Sequence, residues 1–111
     1  MFDFLKKLFF GPKRVQTTKS VEIYTWASCP YCWKAKSLLK RKGVGFQEHK
    51  IDGDDKARKR MSQRAQGRAS VPQVFIENQH IGGCDDLHAL EHSGELDLIL
   101  RDGEDSLDAP S

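Results

Sequence analysis

Apolar and polar positions along this chain repeat with two different periods, and the switches between them outline a fold. Val21, Ile23 and Thr25 share one face of a two-residue alternation, VEIYT, which predicts a strand. From Pro30 to Lys42 the spacing turns helical. Ala35, Leu38 and Leu39 fall on one face, basic residues load the last turn, and Gly43 ends it. Gly45 to Ile51 reads as a second strand. Asp52, Asp54 and Asp55 then favour a helix start, with Ala57, Met61 and Ala65 at i, i+4 and i+8. QVFIE at 73–77 is a third strand, Asn78-Gln79 a tight turn, and His80-Ile81 a short fourth strand. After Gly82-Gly83 a last helix opens near Asp85-Asp86, with Leu87 and Leu90 inward. The order β-α-β-α-β-β-α predicts an α/β fold. A parallel βαβ half followed by a hairpin and a helix makes a central mixed four-stranded sheet with helices on both faces.

The 111 residues suffice for one modest core, and 38% hydrophobic with 31% charged residues suits a small soluble domain. A formal charge of +2 does not point to nucleic acid, and no nucleic-acid partner is expected. The charge is uneven: residues 1–20 carry five cations and one anion, while residues 101–111 carry one cation and four anions. These ends are expected to be an N-terminal basic and apolar extension (1–20) and an acidic tail (101–111), flanking a domain over 21–100. Phe2, Leu5 and Phe9 can share a helical face opposite Lys6 and Lys7, so residues 1–10 offer a weak membrane-surface contact. A plain extension is the stronger reading. No apolar run approaches the roughly 20 residues needed to cross a bilayer, and Lys6 and Lys7 interrupt any signal-peptide core. A monomer in a reducing, cytoplasmic compartment is the expectation.

Three cysteines exclude a dense disulfide framework. Two of them form Cys29-Pro30-Tyr31-Cys32 at the junction of the first strand and first helix. That junction puts Cys29 at the N-cap, where unpaired backbone N–H groups and the helix dipole stabilise a thiolate. Pro30 fits the first helical position because its missing N–H has no intrahelical partner there. Residues 30–42 hold five cations and no acid, but most of that charge lies too far down the helix to help Cys29 much. Cys29 is expected to be the exposed attacker and Cys32 the shielded resolver of a reversible disulfide. Zinc would need two more ligands, and Cys84, His80, His88 and His92 do not follow the pair at zinc-finger spacing. No metal site is expected.

VEIYTWASCPYCWKAKSLLKRKGV, then IDGDD, then SVPQVFIENQHIGGCDDL resemble a dithiol glutaredoxin of the bacterial type over residues 20–100. The resemblance implies a thioredoxin-like fold and glutathione as the reducing co-substrate, with no tightly bound cofactor. It implies reduction of protein disulfides and of glutathionylated proteins, which would be the partners alongside glutathione. Catalysis falls to Cys29 and Cys32. Val71-Pro72 would be cis and face Cys29, offering the Val71 backbone to the cysteinyl unit of glutathione as an added strand. Gly83 and Cys84 would present helix N-terminal amides to its γ-glutamyl carboxylate. Asp85, and Asp86 as a second choice, would pair with its amino group, although either aspartate alone could simply cap the helix. Tyr31 would pack beside the glutathione sulfur. Arg68 is the candidate for the glycine carboxylate, with Gln63 the weaker one. Cys84 is expected to be a packed free thiol.

The alternative reading is a glutathione-ligated [2Fe–2S] carrier, for which relatives use a glycine after the cysteine where this chain has Pro30. A thioredoxin-type partner is disfavoured by Pro-Tyr between the cysteines and by GGCDD. One departure matters: family members usually carry lysine three residues before the first cysteine, and here that residue is Trp26. A neutral indole supplies apolar contact and an N–H donor but no charge. Replacing Trp26 with Lys should therefore lower the apparent KM for glutathione in a steady-state assay; an unchanged or higher KM contradicts this.

Overall fold

A computed structural model describes Val15 and residues 17–101. The elements follow the expected order, with one addition at the end. They are β1 (Val21–Thr25), α1 (Pro30–Arg41), β2 (Gln47–Lys50), α2 (Asp55–Arg64), β3 (Gln73–Ile76), β4 (Gln79–Gly82), α3 (Cys84–Ser93) and α4 (Glu95–Leu100). The sheet order is β2-β1-β3-β4. β1 runs parallel to β2, whereas β3 is antiparallel to both β1 and β4. This is the mixed sheet expected from a βαβ half joined to a hairpin.

Alternation along β1 sorts the two sides. Val21 and Ile23 face a cluster with Ala35, Leu38 and Leu39 of α1, Leu87 of α3, and Leu96 and Leu100 of α4. Burying each such leucine stabilises the fold by about 1.5–3 kcal/mol. On the other side α2 lays Ala57 and Met61 against Ile51, with Tyr24, Trp26 and Val71 at the margin. Above this smaller cluster the Arg64 guanidinium lies 4.1 Å from the Phe75 ring centroid. It also donates to both carboxylate oxygens of Glu22, at 3.1 and 2.9 Å. That pairing holds the Glu22 carboxyl down at about 2.

Three details differ from expectation. The hairpin turns on Glu77 and Asn78, with φ of 51° and 66°, so β4 begins at Gln79 and extends to Gly82. The last helix is two helices, because Gly94 adopts φ 85° and redirects the chain into α4. β2 is confined to 47–50, an edge strand with no buried residue to mark its ends. The expected 1–20 extension lies outside the described residues except for Val15 and 17–20. Val15 packs on the larger core, and its N–H donates to the Lys42 carbonyl at 2.8 Å.

Lys42 caps α1 and is fully buried. Its ammonium lies 2.7 Å from Glu91 of α3 and 2.5 Å from Asp97 of α4. One cation thus ties three helices together. Lys42→Ala would leave two carboxylates facing each other across the vacated space. Urea unfolding should show a loss of about 2–3 kcal/mol, below the usual cost for a wholly buried pair because both carboxylates keep partial contact with water.

Candidate active site

The polypeptide leaves β1 at Thr25 and crosses to α1 through Trp26–Ser28. Asp52, in the turn after β2, accepts a hydrogen bond from the Ala27 N–H at 2.8 Å and steadies this crossing. Cys29 is the N-cap of α1, with extended backbone, and its Sγ accepts the N–H of Cys32 at 3.1 Å. Sulfur here does what a serine or aspartate oxygen does at most helix starts. Pro30 opens the helix as expected.

The two cysteines have different surroundings. Cys29 is partly exposed and Cys32 is buried; both are free thiols. Burial, then the neighbouring Cys29, pushes the Cys32 thiol up to about 12. Cys32 is therefore protonated and shielded at neutral pH. Across from Cys29, the Val71–Pro72 peptide is cis, and the Val71 carbonyl lies 3.9 Å from Cys29 Sγ.

The eight residues expected to contact glutathione meet at one cleft of about 140 Å³. Tyr31, Arg68, Val71, Pro72, Gly83, Cys84, Asp85 and Asp86 all line it, and Ser70 joins them. Gly83 is the N-cap of α3. The two aspartates divide their roles. Asp86 accepts the Gly83 N–H and an Arg68 N–H, both at 3.0 Å, and the first of these chiefly holds its carboxyl below the usual range. Asp85 is exposed and makes no hydrogen bond or ion pair among the described residues. Gly82 adopts φ 122°, and a Cβ there would collide with the Asp86 carboxylate. Gly82 thus lets the β4–α3 corner close against Asp86, while a Cβ at Gly83 would press on the Pro72 carbonyl at 3.2 Å. Cys84 is buried beside His88, its Sγ 3.5 Å from Nδ1, and burial raises its thiol.

Gln63 is exposed on α2 and does not line the cleft. Nor does Trp26: its ring packs at the margin of the smaller cluster, with the Arg58 guanidinium 5.2 Å from its centroid. Arg58 Nε also donates to the Ala69 carbonyl at 2.9 Å, fastening the loop that carries Val71. Arg58, Ser70 and the tether at Asp52 were not legible in the sequence. The only signals were a cation at a helical position, a small residue before Val-Pro, and an acid that reads as a helix start. The true cap of α2 is Asp54, which accepts the Ala57 N–H at 3.0 Å.

Comparison with known proteins gives a consistent family. The glutaredoxin family model matches residues 21–81. A probable glutaredoxin of Synechocystis sp. is 60% identical over 81 residues, which are 73% of this chain and 92% of that protein. The solution structure of glutaredoxin from Brucella melitensis superimposes with a TM-score of 0.67 at 47% identity, covering 77% of this chain and 91% of that one. The crystal structure of a buckwheat glutaredoxin–glutathione complex gives 0.68 at 29% identity, covering 76% and 78%. The fold is thioredoxin-like.

Exposure separates the three thiols in one experiment. Brief iodoacetamide treatment of the reduced protein at pH 7, followed by peptide mapping, should label Cys29 well before Cys32 or Cys84. Both buried thiols should label in urea. Equal labelling of Cys29 and Cys32 in the folded protein would contradict the expected division into an exposed and a shielded thiol.

Proposed function

Because this chain belongs to the glutaredoxin family of thiol–disulfide oxidoreductases, we propose that it reduces disulfides with glutathione as electron donor, acting through Cys29 and Cys32. The observation that carries the glutathione-specific part is the cleft beside Cys29. It combines backbone amides at the start of α3, an unpaired carboxylate at Asp85, and the backbone of Val71. A γ-glutamyl group carries an α-carboxylate and an α-amino group side by side, and these match the α3 N-terminus and Asp85 respectively. The cysteinyl unit would lie along Val71, bringing its sulfur towards Cys29. Arg68 remains the candidate for the glycine carboxylate, though it must then share its charge with Asp86. The buckwheat protein, whose structure is described as a glutathione complex, supports the ligand by similarity.

The exchange steps follow from thiol chemistry. With a glutathionylated protein, the Cys29 thiolate attacks the glutathione sulfur. The protein thiolate leaves and takes a proton, and Cys29 carries glutathione. A second glutathione thiolate attacks that adduct, giving glutathione disulfide and free Cys29. With a protein disulfide, Cys29 first forms a mixed disulfide with one substrate sulfur and releases the other. Cys32 then loses its proton and attacks Cys29, releasing the second substrate thiol and closing Cys29–Cys32. Two glutathiones reopen that bond and become one glutathione disulfide. A reducing cytoplasmic compartment, with glutathione kept reduced, is the setting this chemistry requires.

The test is a coupled assay with glutathione, glutathione reductase and NADPH. Cys32→Ser should retain most turnover of a glutathionylated peptide and lose at least about tenfold on a protein disulfide, the loss expected when the second thiol is missing. Cys29→Ser should lose both. If Cys32→Ser abolishes both reactions equally, the division of labour is wrong.

A further inference from the structure

A second concavity adjoins the cleft. A groove of about 720 Å³ runs between α1 and α3, and the two share Tyr31, Cys84 and Asp85 as common wall. Tyr31 and Trp33 stand over it, 56% and 67% exposed. The rest of its α1 wall is Lys34, Ser37, Lys40 and Arg41, three cations around one hydroxyl. Its one carboxylate is Asp85, at the cleft end.

The cations of this helical segment fall into two groups. Lys36 pairs with Glu48 at 2.9 Å, and Lys42 is paired twice in the interior. Lys34, Lys40 and Arg41 make no ion pair among the described residues; Lys34 lies 5.5 Å over the Tyr31 ring. A helix face meant only for solvent commonly carries acids at i±4 to balance such charges. Pro30 to Lys42 contains no acid. Unpaired cations beside two exposed aromatic rings form a surface suited to a partner that brings carboxylates and an apolar side chain.

Resting on the glutathione reading of the neighbouring cleft, we propose that this groove receives the chain flanking the reacting cysteine of a protein substrate. The segment it selects is acidic, with one large apolar residue set against Trp33. The distance limits where those acids lie. Arg41 is twelve residues along the helix from Cys29, about 18 Å at 1.5 Å per residue. An extended peptide spans that in about six residues, so the selected acids lie within about six positions of the substrate cysteine.

Two glutathionylated peptides of equal length provide the probe. Each has one cysteine and one leucine; one is flanked by aspartates and the other by lysines within six positions. In the coupled assay at low salt, kcat/KM should favour the acidic peptide by about tenfold or more, as expected for steering between opposite charges. Added salt should shrink the ratio. Lys40→Glu combined with Arg41→Glu should abolish or invert it, while turnover of the small mixed disulfide of glutathione and mercaptoethanol stays unchanged. Trp33→Ala should lower kcat/KM for the acidic peptide several-fold and spare the small substrate. Equal rates for the two peptides, or a preference that survives the double reversal, would overturn the proposal. A preference visible only after removal of residues 102–111 would assign the groove to the chain's own acidic tail and overturn it as well. If the wild-type protein fails on the small mixed disulfide, the glutathione reading itself falls.

Discussion

The candidate site of this protein depends on a sulfur standing where a helix ordinarily has an oxygen. Cys29 caps α1, and its Sγ accepts the Cys32 N–H at 3.1 Å. One short contact thereby closes the helix start, fixes the direction of the sulfur and places the second thiol one turn behind it. Burial of Cys32 follows from the same geometry, because the position three residues into an amphipathic helix lies on its inward side, together with Ala35, Leu38 and Leu39. The helix that gives the pair its spacing also gives it its asymmetry, with one sulfur partly exposed beside Val71 and one withheld in the core.

That arrangement works only if α1 is held at both ends. At its far end Lys42 sits in the interior between Glu91 and Asp97, joining α1 to α3 and α4. The link matters for the site because α3, capped by Gly83, forms the other wall of the cleft. The sheet supplies the remaining wall. β3 begins one residue after the cis Val71–Pro72 peptide, and its pairing with β1 brings that peptide beside the end of β1 from which Cys29 departs. Arg58 and Asp52 fasten the two loops involved, one through the Ala69 carbonyl and the other through the Ala27 N–H. The cleft is thus a junction of three chain segments, each anchored by hydrogen bonds outside it.

The amino-acid sequence made the strand–helix alternation legible because β1, α1 and α2 each bury one face in a regular period. It also made the Cys29–Cys32 pair at the strand–helix junction legible, since proline suits the first helical turn there. Val71-Pro72 and the GGCDD corner stood out only through the family resemblance, as an X-Pro step or a Gly-Gly pair by itself reads equally as an ordinary loop. Elements governed by local backbone choices were less so. A turn formed by Glu77 and Asn78 in left-handed conformation looks, residue by residue, much like one at Asn78-Gln79. Gly94 reads as an ordinary helix end until the leucines beyond it are seen to return to the same core. The buried state of Lys42 was hidden, because a lysine at a helix end normally lies in water and its partners come from 49 and 55 residues further along. The partition between Asp85 and Asp86 also needed three dimensions: adjacent acids at a helix start are alike until one is seen to turn back to the Gly83 N–H.

The most direct measurement is to treat 15N-labelled Cys32→Ser protein with glutathione disulfide and follow it by mass spectrometry and amide chemical shifts. The account predicts a single glutathione on Cys29, with the largest shifts at Tyr31, Val71, Gly83, Cys84 and Asp85. An adduct that forms on Cys84 instead, or one on Cys29 that leaves the amides of Val71 and Gly83–Asp85 unmoved, would contradict it.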